Sequence, residues 1–569
     1  MASIDMSSGD CSPSIEKEPP KDSLVATERM SKYQFIVTIL ALLLAMLLTA
    51  LDLTIISTAV PRITHDFHSL NDVGWYGSAF FLTMCCFQTF WGKLYRYCPI
   101  KYIFITAILS FELGILGCAV SKNSAGFIAG RAVAGFGGAG VISGTYIIIA
   151  HIVQPEKVPV FYGLNGIIFT IASVAGPLIG GAFTSTVTWR WCFYINLPLG
   201  GVAVAALLLS LRLPQSHRPA PTPVLEILLK LDLPGCFVMT GALICYLLAL
   251  EYGGITKPWN SSQPIGLLVG WILLTLLFAA VEWFQGDEAL VASRYLRNRG
   301  VLMCCIFVFF LNAANYIRVY YLPLYFQAIK YASPERSGIL LLAYIVPTSV
   351  FTMLAGGVLN KVGYYQPFLL AGAGIVTIGS GLIYTLDINT PSAKIIGYQI
   401  LAGAGDGICV QVPVTAVQAF VDQKELATVT ALVLFFQLGS GVIGIAAGES
   451  IFSNRVIQKL AQYAPGTSAT AVLEAGASEL QSAFDEAELQ GVRRAYLAGI
   501  HGAWILTLAL CGAAVVAGVL APPISIAGKT GVRPTTDGDG DSKRRPTDEM
   551  GEEERGEVDG AGVSDRKAG

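Results

Sequence analysis

The chain has 569 residues, of which 54% are hydrophobic and 13% charged, with a formal net charge of -2. A soluble globular domain carries about 25% charged residues, so the composition excludes a soluble enzyme or binding domain and points to an integral membrane protein. No basic patch offers the electrostatic footprint that nucleic acid needs as a partner.

The first thirty or so residues are polar and lack the apolar core of a cleavable signal peptide. Residues 1–33 therefore read as a disordered cytosolic tail, and the first span as an uncleaved anchor. Apolar windows of about 18 residues or more then recur as far as Pro522, each long enough for a hydrocarbon core of about 30 Å. They place about fourteen helices, at 35–59, 74–94, 102–120, 126–150, 160–184, 190–210, 232–251, 263–284, 301–326, 337–358, 366–386, 395–420, 427–452 and 496–520. An even number leaves both tails on one side. With that side cytosolic, inside loops such as GKLYRYCPIK from Gly92, LRLPQSHRPAP from Leu211 and SRYLRNR from Ser293 are the basic ones. They carry about a dozen Lys or Arg against about seven in the short outside loops, as the positive-inside rule requires. The sequon at Asn260, Ser261 and Ser262 then lies outside, where Asn260 is a glycosylation acceptor. HDFH, from His65 to His68, reads as a solvated outside loop, and 453–495 as a long one. The tail from Gly528, rich in Gly and charge, reads as disordered and cytosolic.

Most of the twelve cysteines fall inside spans, including Cys85-Cys86 and Cys304-Cys305, and none has metal-ligand spacing, so they read as apolar packing with no metal site. GFGGAG, from Gly135 to Gly140, fits a dinucleotide pattern but follows no strand. AGKT, from Ala527 to Thr530, has Pro523 where a phosphate loop needs its first glycine. Neither supports a nucleotide, and no cofactor is expected.

A charge in mid-bilayer costs about 3 kcal/mol on insertion scales and usually faces a cavity or a partner. Four stand out: Asp52 in LDLTIISTAVP, Glu112 in SFELGIL, Arg131 in RAVAGFGGAG and Asp406 in GAGDGI. Asp52 can alternate between protonated and ionised forms as its surroundings change from wet to dry; the alternative is a structural ion pair or hydrogen bond. Arg131 keeps its proton and acts electrostatically, on an anion or a nearby acid. Asp406 and Glu112 are further proton or cation sites, Glu112 equally a structural hydrogen bonder. Arg318 and Glu449, nearer the outer ends of their spans, read as snorkelling side chains.

The stretch VAGPLIGGAFTSTVTWRWCFYINLPLGG, from Val174, concentrates Gly and Pro inside the membrane, which marks tight helix contact or a bend. A faint repeat lays AGRAVAGFGGAG around Arg131 over GYQILAGAGDG around Gln399, pairing Gly135 with Gly403 and Gly137 with Gly405. Such repeats build two-halved transporters with the substrate between the halves.

LDLTIISTAVP from Leu51, GKLYRYCPIK from Gly92, RAVAGFGGAG from Arg131, and GPLIGG from Gly176 with the following WRWCFYINLPLGG together carry a family resemblance. From Tyr33 to Pro522 the chain resembles the major facilitator superfamily, in its fourteen-helix drug:proton antiporter branch and its fungal toxin-efflux members. The resemblance implies an all-α polytopic membrane protein of about fourteen helices. It has a six-helix half at 34–211, a cytosolic linker at 212–230, two inserted helices at 231–285, a second six-helix half at 300–522 and a tail at 523–569. It also implies proton coupling at Asp52 and Arg131, an antiporter signature at Gly176, Pro177, Gly180 and Gly181, and a cytosolic gating loop at Gly92 and Arg96. In that loop Tyr95 stands where the family has an aspartate, and Cys98 near where it has a glycine.

The expected function is proton-driven export of an amphipathic small molecule by a monomer in the plasma membrane, or in a vacuolar or vesicle membrane. Gln411, Asn312 and Gln437 are candidate hydrogen bonders in a cavity between the halves, with Tyr320 as an aromatic wall. Rival readings are import, or vacuolar transport, of a nutrient, siderophore or basic amino acid, and a non-transporting sensor. The five histidines form no catalytic or metal set, which disfavours an enzyme.

Overall fold

The computed structural model describes residues 31–67, 73–154, 157–212, 223, 226–227, 230–474, 480–481 and 483–526. The expected tails and most of the 212–230 linker lie outside the described residues. Among those described, helix dominates and no strand forms. In lipid this is the economical solution, because a helix satisfies its own backbone donors and acceptors.

The first half comprises α1 (Lys32–Phe67), α2 (Val73–Cys86), α3 (Gln88–Tyr97), α4 (Ile100–Val120), α5 (Ser124–Ile152), α6 (Val158–Thr186), α7 (Trp191–Tyr194) and α8 (Asn196–Ser210). Two helices follow, α9 (Leu233–Tyr252) and α10 (Ser262–Gln285), then the short α11 (Ser293–Arg297). The second half is α12 (Arg299–Ala328), α13 (Pro334–Val362), α14 (Gln366–Tyr384), α15 (Ser392–Cys409), α16 (Val412–Gln418), α17 (Leu426–Tyr463), α18 (Ala469–Glu474) and α19 (Glu486–Leu520). Among the described residues twelve helical segments are long and apolar enough to cross a bilayer. The other two expected positions hold α6 and the α2–α3 rod, whose register slips at Phe87. α15 ends and α16 restarts near Pro413, which has no N–H to continue the ladder.

The halves are built alike. α1 packs on α6 and α8 as α12 packs on α17 and α19, and α5 packs on α2 and α4 as α15 packs on α13 and α14. The glycine repeat has a physical counterpart here. A Cβ at Gly135 would collide with the Phe80 carbonyl of α2, and one at Gly403 with the Tyr344 carbonyl of α13. Likewise Gly137 abuts the Phe111 amide of α4, and Gly405 the Val376 amide of α14. Small residues are needed where helix backbones touch. Between halves, α6 lies on α13, and α17 on α2 and α3.

Three expected boundaries move. The loop expected at 453–495 is largely helical, since α17 runs on to Tyr463 and α19 begins at Glu486. Arg455, Lys459, Arg493 and Arg494 lower the hydropathy there, yet Val456, Leu460, Val492 and Tyr496 bury the other face. HDFH is no free loop up to Phe67: α1 continues to that residue, and Asp66 accepts the Trp189 indole N–H at 2.8 Å. His68 and the side chain of His65 lie outside the described residues.

Candidate functional site

The four glycines of GFGGAG bring α5 so close to α2 and α4 that the Arg131 side chain, at the start of that run, has no route to water; it is 1% exposed. Its Nη1 donates to Asp52 Oδ2 of α1 at 2.5 Å, its Nε to the Tyr76 carbonyl at 2.8 Å, and its guanidinium lies 4.6 Å from the Phe80 ring centre. Asp52 is fully buried, and its Oδ1 has no hydrogen-bond partner. A carboxylate held on one oxygen and vacant on the other can take a proton without first surrendering its arginine.

Gly176 adjoins this pair. A Cβ there would collide with Thr54 Oγ1, two residues beyond Asp52, and Thr54 donates to the Ala172 carbonyl at 2.8 Å. The glycine-proline segment thus makes tight contact with the Asp52 helix, inside an unbroken α6. Gly180 offers its carbonyl to Thr184 at 2.6 Å, and Gly181 has open space around it. The side chain of Pro177 lies outside the described residues. Glu112 of α4 is buried against Gly200 of α8, and neither of its oxygens has a hydrogen-bond partner.

The second half holds a counterpart with the charges exchanged. Arg318, on the first helix of that half, donates to Asp406 Oδ2 at 2.5 Å and to Tyr344 Oη at 2.7 Å, and its guanidinium stands 5.3 Å from the Tyr344 ring centre. Tyr344 also donates to Asp406 Oδ2, leaving Asp406 Oδ1 without a partner. Arg318 does not snorkel: it is fully buried, with its guanidinium turned to Tyr344 of α13, Asp406 of α15 and Cys511 of α19. Hydropathy position gave its depth but not its direction.

The halves meet where α6 lies on α13 and where α2 and α3 lie on α17. Phe81 stacks edge-on to Tyr316 with centroids 6.4 Å apart, Cys85 Sγ nears Gly439, and a Cβ on Gly92 would collide with that of Ala431. Toward the same end, Gln411 Nε2 donates to Tyr146 Oη at 3.1 Å and Gln418 Nε2 to Tyr162 Oη at 2.8 Å. These contacts run from mid-membrane to the end that carries GKLYRYCPIK.

The expected cavity residues separate. Gln411 belongs to the seam, Asn312 turns back to the Val308 carbonyl at 3.0 Å, and Gln437 is half-buried on α17 with a partnerless Oε1. Tyr320 is half-exposed one turn beyond Tyr316, beside the exposed carboxylate of Glu449. The expected gating loop is not a loop at Gly92 and Arg96: both lie within α3, where Gln88–Tyr97 is helical and buries Trp91, Gly92 and Tyr95, and Tyr95 donates to the Gly140 carbonyl at 2.8 Å, a bond within the first half. Arg96 rests 5.3 Å from the Tyr97 ring, while Lys93, one turn earlier on α3, reaches across to the Lys230 carbonyl. Asn260 sits in an exposed turn before α10. Among the described residues no group of acids, histidines or cysteines could hold a metal ion.

The Major Facilitator Superfamily model matches residues 42–445. The chain belongs to this superfamily. Members of the major facilitator superfamily move small molecules across membranes and are not enzymes, so this chain is a multi-pass membrane transporter. It is 43% identical to an MFS-type transporter of Pestalotiopsis microspora, over 87% of this chain and 91% of the relative. It is 42% identical to a dehydrocurvularin exporter of Alternaria cinerariae, over 84% and 82%. Among solved superfamily structures, the human organic anion transporter MFSD10 superposes with a TM-score of 0.55 at 14% identity, over 86% of this chain and 99% of that one.

Proposed function

We propose that this transporter is a proton-coupled exporter of an amphipathic small molecule, a fungal secondary metabolite or drug, working by alternating access in the plasma membrane. The observation that carries the reading is the sealed Asp52–Arg131 pair, with its vacant carboxylate oxygen, packed beside Gly176 of α6. A proton arriving at Asp52 Oδ1 neutralises the carboxylate and weakens its hold on Arg131. That frees α1 and α6 to move relative to α5. At 100 mV each inward proton supplies about 2.3 kcal/mol, so one or two sustain a useful outward gradient without a cofactor. Asp406 and Glu112 are the further acids in this scheme. The substrate sits between the halves near Tyr320, Gln437 and Glu449. The relatives named as exporters and efflux pumps support export over import.

The test is efflux of fluorescent drugs and fungal metabolites from a pump-deficient yeast, with and without an uncoupler. Asp52→Asn at equal surface expression should abolish concentrative export, as the uncoupler does. Export that survives the uncoupler sinks proton coupling; export that survives Asp52→Asn alone moves the coupling acid elsewhere, with Asp406 next.

A further inference from the structure

Lys93 lies on α3 within GKLYRYCPIK, and only 3% of it is exposed. Its ammonium donates to the Lys230 carbonyl at 3.0 Å, just before α9, and to the Glu288 carbonyl, just after α10. The carboxylates of Asp232, Glu282 and Glu288 lie near it and offset part of the cost of burying its charge. Asp232 is itself fixed: at φ +49° its side chain caps the Gly235 amide at 3.0 Å and accepts the Leu290 amide at 3.1 Å. Glu282 accepts the Val291 amide at 2.7 Å, and Tyr97 donates to the Glu288 carboxylate at 3.0 Å. The socket for Lys93 is therefore built from the start of α9 and the segment after α10, with Asp232 and Glu282 held by backbone amides and Glu288 by the Tyr97 hydroxyl.

The pair also grips the second half. Tyr246 of α9 donates to the Ile443 carbonyl of α17 at 3.1 Å, and Asn454 of α17 donates to the Gly253 carbonyl at 3.2 Å. Beside Lys93, Gly92 meets Ala431 of the same α17. The Tyr246 and Asn454 contacts lie farther along α17, but Arg294 of α11, just past the pair, bonds to Glu425, just before α17, at 2.6 Å, so the inserted segment bridges α3 and α17 at the end where Gly92 meets Ala431.

We infer that the inserted pair, α9 and α10, is a strap across the closed end of the transporter, and that Lys93 is its latch: a positioning residue that holds α3 against α17 until the gate opens. This rests on the alternating-access reading above. A charge-assisted hydrogen bond in a buried site is worth about tenfold in an equilibrium. Removing the ammonium should shift the closed-to-open ratio at this end by about that factor.

The test places spin labels on keto amino acids at Lys157 and Lys424, exposed residues of opposite halves at this end, in the full-length protein reconstituted in liposomes. Lys93→Met should enlarge the long-distance population about tenfold, Lys93→Arg should keep the wild-type distribution, and Tyr97→Phe, which leaves Lys93 in place, should give a smaller shift in the same direction. If Lys93→Met fails to fold, Tyr97→Phe carries the test alone. Wild-type distributions from properly folded Lys93→Met, or from Tyr97→Phe when it stands alone, overturn the latch. A wild type that shows one distance under every substrate and pH condition overturns alternating access itself, and the latch with it.

Discussion

At the scale of single residues, the informative feature is that each half buries one acid–arginine pair, with the polarity reversed. In the first half the acid is on the first helix and the arginine on the fourth; in the second half the order is exchanged. Burying two charges is costly, and stripping one partner from such a pair costs about 3–5 kcal/mol, whereas replacing both by apolar side chains is often neutral. Arg318→Leu should therefore lower the thermal unfolding midpoint in detergent more than the double change Arg318→Leu with Asp406→Leu does. An additive double variant would mean that the two side chains are not paired. The acids and Arg131 were legible in the sequence because charge is rare in apolar spans. Their partners were not: Arg318 and Asp406 are 88 positions apart, and only the folded helix bundle brings the two side chains together. Glu112 stays without a partner in the structure, and nothing in its sequence surroundings signals that.

Among elements, tight contact between helices decides which substitutions matter. Gly176 and Gly181 belong to one motif, but only Gly176 touches another helix. Gly176→Ala should push α1 away at Thr54 and reduce export at least tenfold with the protein still in the membrane, while Gly181→Ala transports as wild type; an uncoupled flux assay beside surface labelling separates the two. Equal effects would count against the contact at Thr54 as the function of the motif. Helix positions and the glycine repeat were readable because hydropathy and small residues are local signals. The ends of α17 and α19 were not, since their outer turns are amphipathic and average to a loop-like hydropathy. Lys93 is illegible in the sequence for a related reason: there it is one more cation in a basic stretch, and only the segments flanking α9 and α10 turn it into a buried one.

For the whole molecule, orientation is what the loop charges argue and what Asn260 can check. Endoglycosidase treatment of the protein from a fungal host should sharpen and lower its gel band, and Asn260→Gln should remove that change. Treatment that leaves both proteins alike would withdraw the sequon as evidence for sidedness. The two-halved plan was legible from the repeat, but the state of the seam was not, because it depends on which faces of α3, α6, α13 and α17 meet. One further property follows from α10. Pro264 alone among its residues is fully buried, so hydrocarbon rather than protein is its principal neighbour. A helix in that position registers hydrophobic thickness directly, tilting or sliding when the bilayer does not match its length. Since Glu288, which follows it, accepts from Lys93 of α3, acyl-chain length becomes a mechanical input to that contact, and on the latch reading the same chain should open with different ease in thin and thick membranes.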